Sequence, residues 1–278
     1  MLRCFNDCFA TLFLWLALYC LQRRQWTVAS LIYSIGLGTK MTLLLGLPAL
    51  AVIFLQGRGF VGGLRAASIM AQVQLLLALP FLGKHAWAYA TRAFDFSRAF
   101  EYKWTVNWRM LGEHVFQSKG LALGLLGVHA VLLTAFLTQR WLTPSQRSLS
   151  SLVKPVLRGR APMTPNEELL ASSRVTPEYV TTTLLTAIVC GLLCARSLHY
   201  QFYAYLAWTT PYLLWRGTHQ PVLVYVLCAA QEWAWNVYPS TTASSSVVVG
   251  IMAMTVASVW WSTNGVPQKA PRVKNKRS

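Results

Sequence analysis

At 278 residues, 55% of them hydrophobic and only 12% charged, the chain carries about half the charge of an ordinary soluble domain, which runs near 25%. A net charge of +17, from 25 basic and 8 acidic residues, would suggest nucleic acid on a soluble fold. Here the basic residues sit between apolar runs, which excludes that class and predicts an all-α polytopic membrane protein.

A spanning helix needs ~20 apolar residues, and ~17 suffice. The first run, 9–22, stops at Arg23-Arg24, and the second, 26–39, stops at Lys40. The third, 41–56, contains Pro48, and the fourth, 64–83, contains Pro80. The second and third are short enough to form one broken or re-entrant unit. The fifth run covers 121–137, and the sixth 179–195. The seventh, 202–215, contains Pro211; the eighth and ninth cover 221–235 and 247–261. Proline is tolerated in such helices because neighbours re-satisfy the freed carbonyls. About nine transmembrane helices are expected.

Basic loops set the orientation. The tail carries Lys269, Arg272, Lys274, Lys276 and Arg277, and is expected in the cytosol. The stretch 140–178, with six basic residues and many Pro and Ser, reads as a flexible cytosolic linker. Four runs separate the two, so their sides agree. Counting back, Arg23-Arg24 and 58–65 are cytosolic, whereas Met1 to Asp7, the loop from Lys84, 196–201 and 236–246 fall on the far side. The expected organisation is a bundle over 1–139 with a far loop at 84–118, a linker at 140–178, a second bundle over 179–262 and a tail at 263–278.

Three far-side patches could carry chemistry. In the first, Phe100, Trp104 and Trp108 recur every four residues, which predicts one helical face lying at headgroup depth. The second, Arg196 to Tyr203, puts Arg, His, Gln and Tyr at a helix end, suited to phosphate and sugar or to an aromatic belt. The third runs from Trp233 to Ser240, with Glu232 just inside the membrane, where an ionisable group marks function by default. Lys40 and Asp7 are treated alike. Cys4 and Cys8 bracket Asn6-Asp7 and leave a disulfide open; Cys20, Cys190, Cys194 and Cys228 read as small buried hydrophobes. No phosphate loop, H-E-x-x-H or G-x-S-x-G string occurs, and the five histidines are scattered, so no metal or cofactor is expected.

Several long strings then match a known family. They are Leu2-Arg3-Cys4-Phe5-Asn6-Asp7, Phe100-Glu101-Tyr102-Lys103-Trp104-Thr105-Val106-Asn107-Trp108-Arg109, Ser197-Leu198-His199-Tyr200-Gln201-Phe202-Tyr203, Pro211-Tyr212-Leu213-Leu214-Trp215 and Trp235-Asn236-Val237-Tyr238-Pro239-Ser240. Together they resemble the dolichyl-phosphate-mannose-dependent alpha-1,3-mannosyltransferase of the asparagine-linked glycosylation pathway. The resemblance implies a multi-pass GT-C type glycosyltransferase of the endoplasmic reticulum membrane. Its donor is dolichyl phosphate mannose, and its acceptor is the dolichyl-diphosphate-linked Man5GlcNAc2 oligosaccharide. Family members are longer at the front, so the resemblance puts the catalytic carboxylate on an acidic loop upstream of Met1. The chain therefore resembles the C-terminal portion, expected to be inactive alone, with Asp7 and Glu101 as fallback carboxylates.

In the direct displacement of dolichyl phosphate from the mannose anomeric carbon that the resemblance implies, Lys103, Arg109 and Arg196 would meet phosphate, and His199 would act as donor or acceptor. Trp104, Trp108, Tyr200 and Tyr203 would stack on sugar or flank the lipid. The partners implied are the two dolichol-linked substrates and the bilayer, with no nucleic acid. The ending Lys274-Asn275-Lys276-Arg277-Ser278 resembles a lysine-based retrieval signal. The rival classes are a transporter, for which no internal repeat is found, and a non-catalytic membrane scaffold.

Overall fold

The computed structural model describes residues 5–93 and 101–264, and every regular element among them is helical. Helices α1 (Asp7–Gln22) and α2 (Trp26–Thr39) form an antiparallel hairpin. The Asn6 amide donates to the Thr39 carbonyl at 2.8 Å where α1 begins and α2 ends. Lys40 breaks the chain in extended backbone, a 3-10 turn follows over Met41–Gly46, and α3 (Leu47–Ala93) leaves it.

The third and fourth runs are two arms of this one helix, folded at Gly59 (φ 75°, ψ 179°). The cytosolic loop expected at 58–65 is therefore a kink within helix. It needs glycine twice: φ is positive, and a Cβ there would run into the Glu168 carboxylate. The break frees the Phe60 N–H at the start of the second arm, and the Glu168 Oε1 accepts it at 2.8 Å. Gly59→Ala is expected to destabilise the chain by about 1–3 kcal/mol through backbone strain alone, with the displaced carboxylate adding to it. A thermal melt in detergent unchanged by the substitution would contradict this account of the kink. A second break falls at His85 (φ -133°, ψ 28°), one residue after Lys84, where the far loop is expected to begin; helix resumes beyond it to Ala93. Residues 94–100, and with them Phe100, lie outside the described residues. So do Met1, Cys4 and the basic tail, and with them the far-side start of the chain and the disulfide left open at Cys4.

Next come α4 (Glu113–Gln117) and α5 (Lys119–Phe136), which ends in a π turn over Leu137–Trp141. The stretch expected to be a flexible linker is instead ordered as α6 (Leu149–Leu157) and α7 (Pro165–Arg174). Several of its Ser, Thr and Pro residues are helix starts. Ser148 caps α6, and Thr164 forms a capping box with Glu167 ahead of Pro165. The hydrogen bond from the Thr164 backbone, then the Arg147 side chain, hold the Glu167 carboxyl below its ordinary range. Trp141, Leu142, Leu152, Met163, Ala171 and Val175 from this stretch are buried.

Helix α8 (Pro177–Leu193) is buried along nearly its whole length and packs against α1, α3, α5, α9 (Tyr203–Thr218) and α11 (Thr242–Ser262). A helix apolar on all sides belongs at the centre of a bundle. Helix α10 (Pro221–Asn236) packs against both α9 and α11, which also pack on each other.

Three helical stretches among the described residues are long and apolar enough to cross a membrane: Met41–Arg92, Lys119–Trp141 and Thr242–Ser262. The α7–α8 pair, bent by 84°, makes a fourth if taken as one. Helices α1, α2, α9 and α10 have 14–16 residues, so each rises about 21–24 Å against a ~30 Å hydrocarbon core. Nine apolar runs thus resolve into three or four full-length candidates and several shorter helices.

The bundle has two chemically distinct ends. At one, Lys40 pairs with Asp7, and its ammonium lies 5.5 Å from the Phe202 ring. At the other, Arg24 donates to the Ser172 and Val175 carbonyls at 2.8 and 3.0 Å, and Gln22 donates to Thr181 at 2.7 Å.

Candidate functional site

The Asp7 end of the bundle gathers the segments that the far-side patches contribute. Thr105, Val106 and Asn107 are wholly buried, threaded beside residues 195–198. The Val106 N–H donates to the Leu198 carbonyl at 2.8 Å. Asn107 does more: its amide donates to the Ala195 carbonyl at 2.7 Å, and its Oδ1 accepts from the Leu198 N–H at 2.7 Å and from the Thr105 hydroxyl at 3.0 Å. The Trp108 indole N–H also donates to the Ala195 carbonyl, at 3.1 Å. The Ser240 hydroxyl donates to the Thr105 carbonyl at 2.7 Å, and the Ser245 hydroxyl accepts from the Arg109 N–H at 2.9 Å. Three sequence-distant patches are thereby tied into one surface.

These bonds also correct the expected aromatic stripe. Tyr102–Trp104 and Arg109–Leu111 form separate 3-10 turns; between them Thr105 is extended, and Trp108 is left-handed (φ 55°). Trp104 and Trp108 therefore share no helical face. The Thr105–Asn107 backbone and side chains find partners in other segments rather than in a helix of their own.

Above the tie lies an aromatic shelf. Trp104 stacks on Tyr238 (6.2 Å, 23°), and Tyr200 meets the same ring edge-on at 5.8 Å. Tyr238 is more than half exposed and precedes a cis proline peptide. The Tyr200 hydroxyl donates to the Val237 carbonyl at 2.8 Å. Burial pushes that hydroxyl above its ordinary range, with the Ser240 backbone and then Arg109 opposing, so it stays a proton donor at neutral pH. Lys103 is exposed, with its ammonium 5.0 Å from the Trp104 ring centre.

The other nominated cations do different work. Arg109 donates to the Tyr102 carbonyl at 3.0 Å and stacks over that ring at 4.5 Å, while the Tyr102 hydroxyl donates back to the Arg109 carbonyl at 2.9 Å. Arg196 donates to the Gln117 carbonyl at 2.9 Å, joining residues 195–198 to α4. Both arginines brace the loops. His199 is half-buried, and its carbonyl accepts from the Phe202 N–H at 3.0 Å. Tyr203 packs on Trp235 at 5.6 Å, inward of the shelf.

The catalytic carboxylate expected upstream of Met1 lies outside the described residues, which begin at Phe5. Of the two fallback carboxylates, Glu101 is exposed beside the shelf. Asp7 is buried, with its Oδ2 2.8 Å from the Lys40 ammonium and its Oδ1 without a hydrogen-bond partner. Glu232 is exposed on α10. No group of three or more His, Cys, Asp or Glu among the described residues could hold a metal ion. Sequence reading passed over Asn107, Ser240 and Ser245. The available signal was an uncharged Thr-Val-Asn in the middle of an aromatic and charged segment.

The fold and this surface define a helical membrane protein that offers an aromatic, cationic shelf at one end. The family model described as ALG3 protein matches residues 1–245, and the chain belongs to that family. It is 55% identical over 262 residues to the Dol-P-Man:Man(5)GlcNAc(2)-PP-Dol alpha-1,3-mannosyltransferase of Neurospora crassa, covering 94% of this chain and 59% of that protein. The protein of the same name from Homo sapiens is 35% identical over 278 residues, covering 98% of this chain and 61% of its own length. A probable enzyme of that name from Dictyostelium discoideum is 37% identical over 244 residues, covering 88% and 52%. The chain thus spans about three fifths of the length of the first two and half of the third. No solved structure matches.

Proposed function

We propose that this chain supplies the shelf and bundle of an alpha-1,3-mannosyltransferase. The enzyme moves mannose from dolichyl phosphate mannose to dolichyl-diphosphate-linked Man5GlcNAc2. The observation that carries this reading is 55% identity across 94% of the chain to a protein so named. The shelf supports it independently: the exposed Tyr238 ring, backed by the half-buried Trp104 and Tyr200, suits the face of a sugar, and Lys103 beside Trp104 suits a phosphate.

In the transfer, the acceptor hydroxyl oxygen bonds to the mannose anomeric carbon as the bond from that carbon to the phosphate oxygen breaks. Dolichyl phosphate leaves with the electron pair, and Lys103 stabilises its growing charge. The hydroxyl proton passes to a carboxylate, assigned first to the front portion upstream of Met1. Within this chain Glu101 is exposed beside the shelf, whereas Asp7 is engaged by Lys40 and holds the α1–α2 end together. The same reading assigns a GT-C type architecture with about nine spans, the shelf in the lumen of the endoplasmic reticulum, and the α6–α7 stretch and basic tail in the cytosol.

The test uses membranes from cells lacking this activity, supplied with the chain fused to the front portion of the Neurospora relative. Transfer of labelled mannose is expected in the fusion. Lys103→Gln and Trp104→Ala should each lower it about 10-fold or more, the scale of one lost charge-assisted contact. A fusion with no transfer, or variants that transfer like the parent, would sink the proposal.

A further inference from the structure

A groove of about 780 Å³ runs between the two arms of α3 and the amphipathic helix α6, from Leu37 and Leu47 near the Lys40 end to Phe60 and Pro162 at the Arg24 end. Leu50, Phe54 and Met70 of α3, with Leu152, Val153 and Val156 of α6, form its walls. The one polar residue on those walls is Gln74, whose amide is already spent on the Ser34 carbonyl at 2.6 Å. The size is that of a ligand pocket, and its surface recognises hydrocarbon.

The residues around it have the opposite character. Arg58 lies two residues before Phe60 of the wall, and Arg65 follows Leu64. Lys154 follows Val153, and Arg158 and Arg160 lie between Val156 and Pro162. All five are exposed, and none takes part in the ion pairs among the described residues. The nearby acids are committed elsewhere: Glu168 caps the second arm of α3, and Glu167 holds Arg147 and Thr164. An apolar groove rimmed by uncommitted cations matches a molecule with hydrocarbon chains and an anionic head.

We propose that this groove holds one anionic phospholipid, its acyl chains between the arms of α3 and α6 and its headgroup against Arg58, Arg65, Lys154, Arg158 and Arg160. The groove's cationic rim lies at the opposite end of the bundle from the shelf. Helix α1, with 16 residues, rises about 24 Å between the Asp7 end and the Arg24 end. The lipid would fix α6 against α3 and hold the kink at Gly59 between them.

The experiment purifies the full chain in detergent, adds equimolar phosphatidylinositol and phosphatidylcholine, and counts retained lipids by native mass spectrometry. One phosphatidylinositol per chain is expected, preferred about fivefold or more, a coupling within the usual range for such contacts. Ala67→Trp with Ala71→Trp, at two small and exposed positions on the groove wall, should abolish retention of both lipids. Lys154→Gln with Arg158→Gln and Arg160→Gln, all at the surface, should erase the preference while leaving hydrocarbon binding intact. Equal retention of the two lipids by the parent chain would reduce the groove to ordinary bilayer contact and overturn the proposal. So would a preference that survives the triple variant, or displacement of phosphatidylinositol by a polyisoprenyl phosphate.

Discussion

Replacing Lys40 with Met is expected to destabilise the bundle by about 3–5 kcal/mol, because it strands a buried carboxylate without its partner. The Asp7 side chain is 1% exposed, and its Oδ2 sits 2.8 Å from the Lys40 ammonium. Removing the cation keeps the cost of burying the carboxylate and discards what offsets it. Replacing both partners should cost much less: Asp7→Asn with Lys40→Met leaves a neutral amide beside a thioether of similar length. A double-mutant cycle read by chemical or thermal denaturation in detergent tests the coupling. A Lys40→Met chain as stable as the parent would mean that solvent reaches Asp7 and the pair contributes nothing. Four elements meet at this point. Asp7 starts α1, Lys40 ends α2, the 3-10 turn follows, and the Phe202 ring at the entry to α9 lies against the ammonium. Loss of the pair should therefore loosen the floor beneath the shelf as well as the α1–α2 hairpin.

Much of the helical order could be read from apolar periodicity, because a bilayer core admits few alternatives for the backbone. Residues 221–235 and 121–137 fall almost on the bounds of α10 and α5. Charge was a poorer guide to where helices end. Lys84 reads as the end of the run, and the helix does break at His85, but it resumes to Ala93 instead of giving way to a loop. Arg58 and Arg65 read as a loop, yet they flank a one-residue break that only Gly59 can make and that Glu168, more than a hundred residues away, completes. Proline and serine misled in a different way. Between 140 and 178 they suggested a flexible tether, although Thr164-Pro165 and Thr176-Pro177 are N-caps followed by the residue whose missing N–H costs a helix least. For the site, residue types can be read from the sequence and geometry cannot. Trp104 and Tyr200, expected to meet sugar or lipid, pack on a common ring in Tyr238. Arg109 and Arg196, expected to meet phosphate, each hold a backbone carbonyl in the structure. Nothing local in the sequence distinguishes the two uses of a cation, since the partners lie 79 residues away for Arg196.

The second large effect is expected at Asn107. Its substitution by Ala removes three hydrogen bonds at once, to the Ala195 carbonyl, the Leu198 N–H and the Thr105 hydroxyl. The Ala195 carbonyl keeps the Trp108 indole, but the buried Leu198 N–H has no other described partner. One buried orphan costs about 1–3 kcal/mol, and the two other lost bonds add about 0.5–1.5 kcal/mol each, giving roughly 2–6 kcal/mol in all. Asn107→Asp is the informative companion. It keeps the Oδ1 acceptor for Leu198 but replaces the amide donor with a charge facing the Ala195 carbonyl, so it should be as damaging or worse. Because this residue ties the 102–109 segment to 195–198, its loss should also scatter Trp104 and Tyr200 away from Tyr238. In the fused enzyme, mannose transfer should then fall by more than the loss of folded protein explains, measured as turnover per folded molecule after quantifying the folded fraction. Transfer that falls only in proportion to folded protein would make Asn107 a stability residue and leave the shelf without its proposed anchor.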